Sequence, residues 1–201
     1  NDGNDHFTEI DAGLTGVRSG DVAWGDYNGD GALDLAVIGT DTDDIKTATI
    51  YRNDGNGAFN DSGVQLTGVN FGSVAWGDHN GDGALDLAIT GEDSDFNRLT
   101  TIYQNNEDGT FSPLDAGLTG VTFGDVAWGD YNGDGALDLA VIGDSTGTVQ
   151  ARGGTATIYR NDGSGAFSRA GAGLTGVEGG SVGWGDPNRD GDLDLVVTGL
   201  D

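Results

Sequence analysis

The chain has 201 residues, among them 39 Gly and 2 Pro but neither Cys nor Met, and its 34 Asp+Glu against 8 Lys+Arg give a formal charge of −26. That balance excludes a nucleic-acid binder, which needs clustered cations, and disfavours an anionic membrane surface; zero cysteine excludes a disulfide scaffold, a thiolate zinc site and a cysteine nucleophile. No apolar run approaches the roughly 20 residues of a spanning helix, while 35% hydrophobic content with 4 Trp, 5 Tyr and 7 Phe is workable for a core.

From the N-terminus, Asp21 to Trp24 alternates and predicts a strand, followed by a polar loop. Leu33 to Ile38 is apolar on both faces, as a strand covered on each side should be. Ala48 to Arg52 alternates and ends in Asn53-Asp54-Gly55-Asn56-Gly57, a glycine-rich hairpin turn. Phe59 opens a weaker outer strand, and a Leu-Thr-Gly-Val segment leads into the next copy. The whole order then repeats. Copies of the Trp segment begin at Asp21, Ser73, Asp125 and Ser181, spaced by 52, 52 and 56 residues, and Thr-Ile-Tyr recurs at 49–51, 101–103 and 157–159. The longer last interval comes from Asp144 to Gly154. No 11-residue window keeps a helical period.

These features predict an all-β chain: a β-propeller of four-stranded antiparallel blades, in one repeat domain with units 1–52, 53–104, 105–160 and 161–201. The last blade is expected to be incomplete. It has its strand at Leu193 to Thr198 but no Thr-Ile-Tyr strand, and an outer strand around Phe7 has no intrachain hairpin partner. Further chain, or another copy, is expected to supply strands at that seam.

The loop after each Trp-Gly carries the chemistry. In the first copy, Asp26, Asn28, Asp30 and Asp34 place side-chain oxygens at positions 1, 3, 5 and 9 of a turn with glycine at position 6. A hard cation such as Ca²⁺ takes 6–8 oxygens, and alternate residues of a tight turn aim inward. The carbonyl of Ala32 adds a further candidate ligand. The set recurs as Asp78, Asn80, Asp82, Ala84 and Asp86; as Asp130, Asn132, Asp134, Ala136 and Asp138; and as Asp186, Asn188, Asp190, Asp192 and Asp194. About four Ca²⁺ ions are therefore expected, one per repeat. An EF-hand is excluded, since its twelfth position needs Glu and here holds Val37, Ile89, Val141 and Val197. Positions 1, 5 and 9 hold 12 of the 34 acids, so four ions would bring the formal charge from −26 to −18.

The nine-residue Asp-x-Asn-x-Asp-Gly-x-x-Asp loop between two strands resembles the FG-GAP/VCBS repeats of integrin-α-like β-propellers. The resemblance implies that each loop joins the first two strands of a blade and binds Ca²⁺ on one face of the ring, which in that family usually has seven blades and sometimes eight. The fourth loop departs from the pattern with Pro187, Arg189 and Asp192. Arg189 brings a cation toward the ion, so that site is expected to be the weakest.

Other residues fit structural roles. Trp24, Trp76, Trp128 and Trp184 hold one fixed strand position and are expected to pack between blades, with Tyr51, Tyr103 and Tyr159 also in the core. His6 and His79 do not repeat, and His79, at loop position 2, is expected to point outward. No serine has a histidine partner in a shared motif, so no enzyme is expected. The repeats diverge at Thr40 to Lys46, Glu92 to Arg98 and Asp144 to Gly154, and at the pairs Arg18-Ser19, Asn70-Phe71, Thr122-Phe123 and Glu178-Gly179. In a propeller both sets lie opposite the calcium loops, where Phe71 and Phe123 would be exposed. The expected function is that of a calcium-stabilised, secreted or surface-displayed module with a structural, adhesive or protein-binding role. Strand exchange between chains into a ring or fibre is one expected route of self-association. A carbohydrate-binding propeller, or a non-catalytic module of a polysaccharide-active enzyme, is the alternative.

Overall fold

The computed structural model describes residues 3, 6–146 and 153–201. Every regular element among them is a strand, and the sheets are antiparallel meanders that follow chain order. The first sheet holds β1 (Arg18–Gly25), β2 (Asp34–Thr40), β3 (Lys46–Asn53) and β4 (Phe59–Asp61). The second holds β5 (Val74–Gly77), β6 (Asp86–Glu92), β7 (Arg98–Asn105) and β8 (Phe111–Leu114). The third holds β9 (Thr122–Gly129), β10 (Asp138–Asp144), β11 (Gly154–Asn161) and β12 (Phe167–Arg169). A fourth holds only β13 (Val182–Gly185) and β14 (Asp194–Val197). These are propeller-like blades, and the last lacks its third strand as expected. Residues 6–16 form no strand, and Phe7 lies exposed.

The second strand of each full sheet is the most apolar and the most enclosed. Every residue of β2 is buried, with Leu35 and Val37 on one face and Ala36 and Ile38 on the other. The two faces serve different neighbours. Ala36 and Ile38 share a core with Val74, Leu87 and Ile89 of the second sheet and with Val69 of the segment that leads into it. Ala88 and Ile102 do the same with Val126, Leu139 and Val141 of the third, and Ala140 and Ile142 with Val182 of the fourth, with Val121 and Val177 of the connecting segments joining in. Full burial of one such side chain is worth about 1.5–3 kcal/mol. Stacking of sheet on sheet therefore forms the core, which runs through the stack.

The tryptophans sit between sheets, as predicted, with one exception. Trp76, Trp128 and Trp184 donate their Nε1–H to the carbonyls of Ala23, Ala75 and Ala127 in the preceding sheet, at 3.1, 3.2 and 3.1 Å. Trp24 is 56% exposed and tilts against Phe59 of its own sheet. The tyrosines Tyr51, Tyr103 and Tyr159 are buried, and their hydroxyl oxygens accept the N–H groups of Thr15, Thr67 and Thr119 in the connecting segments.

Register places both divergent regions at one end of the sheets. Arg18 pairs with Thr40 and Thr40 with Lys46, while Gly25 pairs with Asp34 at the other end, beside the Asp-rich loop. At the divergent end Ser19, Phe71 and Phe123 adopt positive φ of 50–52°, and Gly179 follows at 63°. Their backbones join in series: Phe71 N–H donates to Ser19 C=O at 2.7 Å, Phe123 to Phe71 at 2.6 Å and Gly179 to Phe123 at 2.7 Å. The turn demands glycine one residue after Ser19, because a Cβ on Gly20 would overlap the Ile38 carbonyl. Charged pairs add a second tie. Lys46 Nζ reaches Glu92 at 2.8 Å and the Asp93 carbonyl at 2.7 Å, and Arg98 reaches Asp144 at 3.1 Å. In the longest divergent segment, residues 147–152 lie outside the described residues.

Candidate metal centres

Each Asp-rich loop leaves the first strand of a sheet and enters the second, so the sheet holds both of its ends. Inside the loop the side chains fold back on the backbone. Asp26 accepts the N–H of Asp30 on Oδ1 and of Gly31 on Oδ2, Asn28 Oδ1 accepts Asp30, and Asp30 Oδ1 accepts Ala32, at 2.9–3.1 Å. The same bonds recur around Asp78, Asn80 and Asp82 at 2.9–3.1 Å. They recur around Asp130, Asn132 and Asp134 at 2.9–3.1 Å. Around Asp186, Asn188 and Asp190 they span 2.9–3.2 Å, with Asp192 N–H in the place of the alanine. Amides donating to three successive acidic or amide side chains draw those oxygens toward the loop's interior.

The ninth position is different in kind. Asp34, Asp86 and Asp138 are fully buried at the start of β2, β6 and β10. One oxygen of each accepts the N–H of loop position 2, Tyr27, His79 or Tyr131, at 3.3, 3.0 and 3.2 Å. The other accepts the N–H of Asn53, Asn105 or Asn161 at the end of the third strand, at 2.8 Å in each case. Asp194 has no third strand beside it and is exposed. Burial pushes the Asp34 carboxyl up from its ordinary value against the amide bonds of Asn53 and Tyr27, and the charges of Asp30 and Asp26 push the same way. Asp138 is raised for the same reasons, with Asn161 and Tyr131 opposing and Asp134 and Asp130 assisting. Each is a buried carboxylate next to two other carboxylates, an arrangement that a divalent cation relieves.

The donor set fits a hard cation. It offers carboxylate, amide and carbonyl oxygens, and a carboxylate oxygen that already accepts one N–H keeps a lone pair for an ion. Among the described residues no group of three or more His, Cys, Asp or Glu side chains gathers into a ready cluster. A site here would therefore need the Asn oxygen and the position-7 carbonyl as well.

The structure corrects one expectation and adds two findings. His79 does not point outward: it is 2% exposed, with Nδ1 against Asp86 and its ring over Trp128 and Phe167 at 6.3 and 6.0 Å. Tyr27 is buried in the same way, beneath Trp76 and Phe111 of the second sheet. The cause is the next sheet, whose Trp and outer-strand Phe cover loop position 2. The asparagines that end the third strands do more than open the hairpin turn that the sequence around Asn53 predicts. Asn105 Nδ2 donates to the carbonyls of Tyr27 and Leu85, and Asn161 to those of His79 and Leu137, clipping each loop to the sheet that follows. Their recurrence with the loop period was the available signal. In the fourth loop, Arg189 takes φ 63° where the others have glycine, and among the described residues it forms no ion pair. Among the described residues the arginine that pairs with a loop carboxylate is instead Arg160, 3.6 Å from Asp134.

Loops one and two face each other across a cleft of about 300 Å³ lined by Asp26, Asn28, Asp82, Asn105 and Glu107. No curated protein matches the chain in sequence. A solved structure described as the basis of specific recognition of non-reducing terminal N-acetylglucosamine by an Agrocybe aegerita lectin is similar in fold, at 20% identity and a TM-score of 0.53. The match covers 89% of this chain and 46% of that one, so the chain spans less than half of its length. The family model described as FG-GAP-like repeat matches twice, over residues 26–89 and 78–141, each match running from one loop into the strand after the next. With more than half of its residues under that model, the chain belongs to the FG-GAP-like repeat family.

Proposed function

We propose that the chain is a calcium-stabilised β-propeller module that acts by binding rather than catalysis, outside the cell, where calcium is abundant. The observation that carries the reading is the fourfold recurrence of one oxygen-rich loop, three copies of which close on a fully buried aspartate. Asp26, Asn28, Asp30, the Ala32 carbonyl and Asp34 would hold the ion in the first loop, and the matching residues in the others. The cation supplies positive charge to a group of carboxylates that otherwise repel one another. Asp34 ties the loop to β3, and Asn105 ties it to the second sheet. Order in the loop thus passes into the stacking of sheets. Calorimetric titration of the calcium-free chain is expected to show binding to about four sites, with much weaker binding of Mg²⁺, whose small octahedral shell suits the loop poorly. No bound calcium at millimolar supply would sink this reading.

A second reading is a glycan-binding propeller. It is supported by the fold likeness to the lectin and by Phe71 and Phe123, whose exposed rings lie 4.7 Å apart at the end opposite the loops. Aromatic faces of this kind stack on the apolar side of a sugar ring. Glycan-array binding that disappears in Phe123→Ala would establish it, and an empty array would remove it.

A further inference from the structure

The buried ninth-position aspartates of loops one, two and three are linked to one another by hydrogen bonds. Asn105, 3% exposed, has both side-chain donors and its side-chain oxygen engaged. One Nδ2 hydrogen goes to the Tyr27 carbonyl in loop one at 2.8 Å, the other to the Leu85 carbonyl in loop two at 3.2 Å. Its Oδ1 accepts the Glu107 N–H at 3.0 Å, and its own backbone N–H donates to Asp86 of loop two at 2.8 Å. Asn161, fully buried, repeats the arrangement one sheet further on. Its Nδ2 donates to the His79 carbonyl in loop two at 2.6 Å and to the Leu137 carbonyl in loop three at 3.1 Å. Its Oδ1 accepts the Gly163 N–H at 3.0 Å, and its backbone N–H donates to Asp138 of loop three at 2.8 Å.

The residue whose carbonyl receives each clip also serves its own loop. Tyr27 gives its N–H to Asp34, and His79 gives its N–H to Asp86. Asp138 therefore reaches Asp86 through Asn161 and His79, and Asp86 reaches Asp34 through Asn105 and Tyr27. Every residue on that route is buried. A side-chain amide fixed on both its donors and its oxygen cannot give at one bond without straining the others. Loop position 2 lies between two proposed ligands, Asp26 and Asn28 in loop one, so an ion there fixes the peptide that Asn105 grips. Asn105 in turn grips the closing ligand of loop two. Loosening one loop alone would leave a buried donor or acceptor unpaired, which penalises states in which neighbouring loops differ.

We propose that Asn105 and Asn161 are positioning residues that couple adjacent calcium sites, so that an ion in one loop raises the affinity of the next loop for its own. The inference rests on the calcium reading of the loops and goes beyond it, because sites that only share a fold would fill independently. Coupling of this kind is reciprocal: loop two strengthens loop one by the factor that loop one strengthens loop two. Repulsion between ions in neighbouring loops acts the other way. Salt screens that repulsion over about 8 Å at physiological strength and leaves the buried bonds in place.

The test is a calcium titration of the full chain in moderate salt, read site by site from backbone amide NMR signals. The N–H groups of Gly31, Gly83 and Gly135 each donate to the first aspartate of their own loop at 2.9–3.0 Å, so each signal reports one loop. Loop one is disabled by Asp26→Asn with Asp30→Asn, which removes charge but keeps oxygens that can accept the loop's amides. The loop-two affinity should then fall about tenfold, and that of loop three by less. In a chain that carries Asn105→Ser, disabling loop one should change the loop-two affinity by less than about twofold. Serine keeps the backbone N–H to Asp86 and an oxygen for the Glu107 N–H, but cannot reach the Tyr27 carbonyl. A loop-two site indifferent to loop one overturns the proposal, as does an equal fall with serine at position 105. Equal falls in loops two and three overturn it too, since a general loosening would then carry the effect. Where Asn105→Ser does not fold, Asn161→Ser makes the same comparison, with loop two disabled by Asp78→Asn and Asp82→Asn and loop three read at Gly135. Signals that ignore calcium in every loop refute the calcium reading and the coupling together, whereas loops that fill independently refute the coupling alone.

Discussion

The two ends of the sheets repeat by different means. At the loop end the side chains themselves recur: Asp, Asn and Asp at alternate positions accept the same backbone amides in all four copies. At the opposite end Ser19, Phe71, Phe123 and Gly179 have no one side chain common to all four, yet their main chains are joined N–H to C=O at 2.6–2.7 Å. Where a side chain supplies the bond, its identity must repeat. Where the backbone supplies it, the side chain is released to vary, and a surface for partners can differ from sheet to sheet. The non-glycine residues at this end hold a left-handed conformation at a cost of order 1–3 kcal/mol each, which the stacked sheets offset.

The largest expected effect breaks the loop end alone. If the loops bind calcium as proposed, each site held at a hundredfold excess over its dissociation constant would contribute about 2.7 kcal/mol. Chelation is therefore expected to lower the thermal midpoint by more than about 10 °C, read by calorimetry. Protons should compete with the ion. In the calcium-free protein Asp34 and Asp138 lie above their ordinary pKa, so the fold holds their protons more tightly than the unfolded chain does. These two groups lower stability at neutral pH, and the penalty fades as pH falls through their raised values. The gap in midpoint between loaded and chelated protein should accordingly shrink from about pH 7 to about pH 5. An equal gap at both would contradict this origin.

A smaller effect separates loops that look alike in sequence. Asp86→Ala orphans the buried amides of His79 and Asn105 and should cost about 3 kcal/mol in chemical denaturation. With chelator present throughout, Asp194→Ala, at the same motif position but exposed, should cost less than about 1 kcal/mol. Similar losses at the two positions would mean that burial by the third strand is not what makes the ninth residue matter.

At the opposite end the effects should be smaller again. Lys46→Ala removes a half-buried tie to Glu92 and to the Asp93 carbonyl, and is expected to cost about 1–2 kcal/mol. Phe123→Ala forfeits its ring contact with Phe71 and should cost about 0.5–1.5 kcal/mol, with the backbone series intact in hydrogen exchange. Rapid exchange of the Phe123 and Gly179 amides in that variant would show that the side chain, and not the main chain, holds this end together.

Much of this molecule was legible before any coordinates. The strand order, the incomplete last sheet and the loop at each first-to-second connection follow from alternation, glycine placement and a repeat of 52 or 56 residues. Such signals lie within a few positions of one another in the chain, where local geometry dictates which neighbours a side chain can reach. Only the tertiary structure decided that His79 is enclosed, that Asn105 clips the preceding loop, and that Trp24 stands open while Trp76, Trp128 and Trp184 are seated. Those outcomes depend on whether another sheet lies against the residue, and its atoms come from a part of the chain some fifty positions away. A repeated residue has one identity in the sequence, but its environment is set by the sheet stacked beside it.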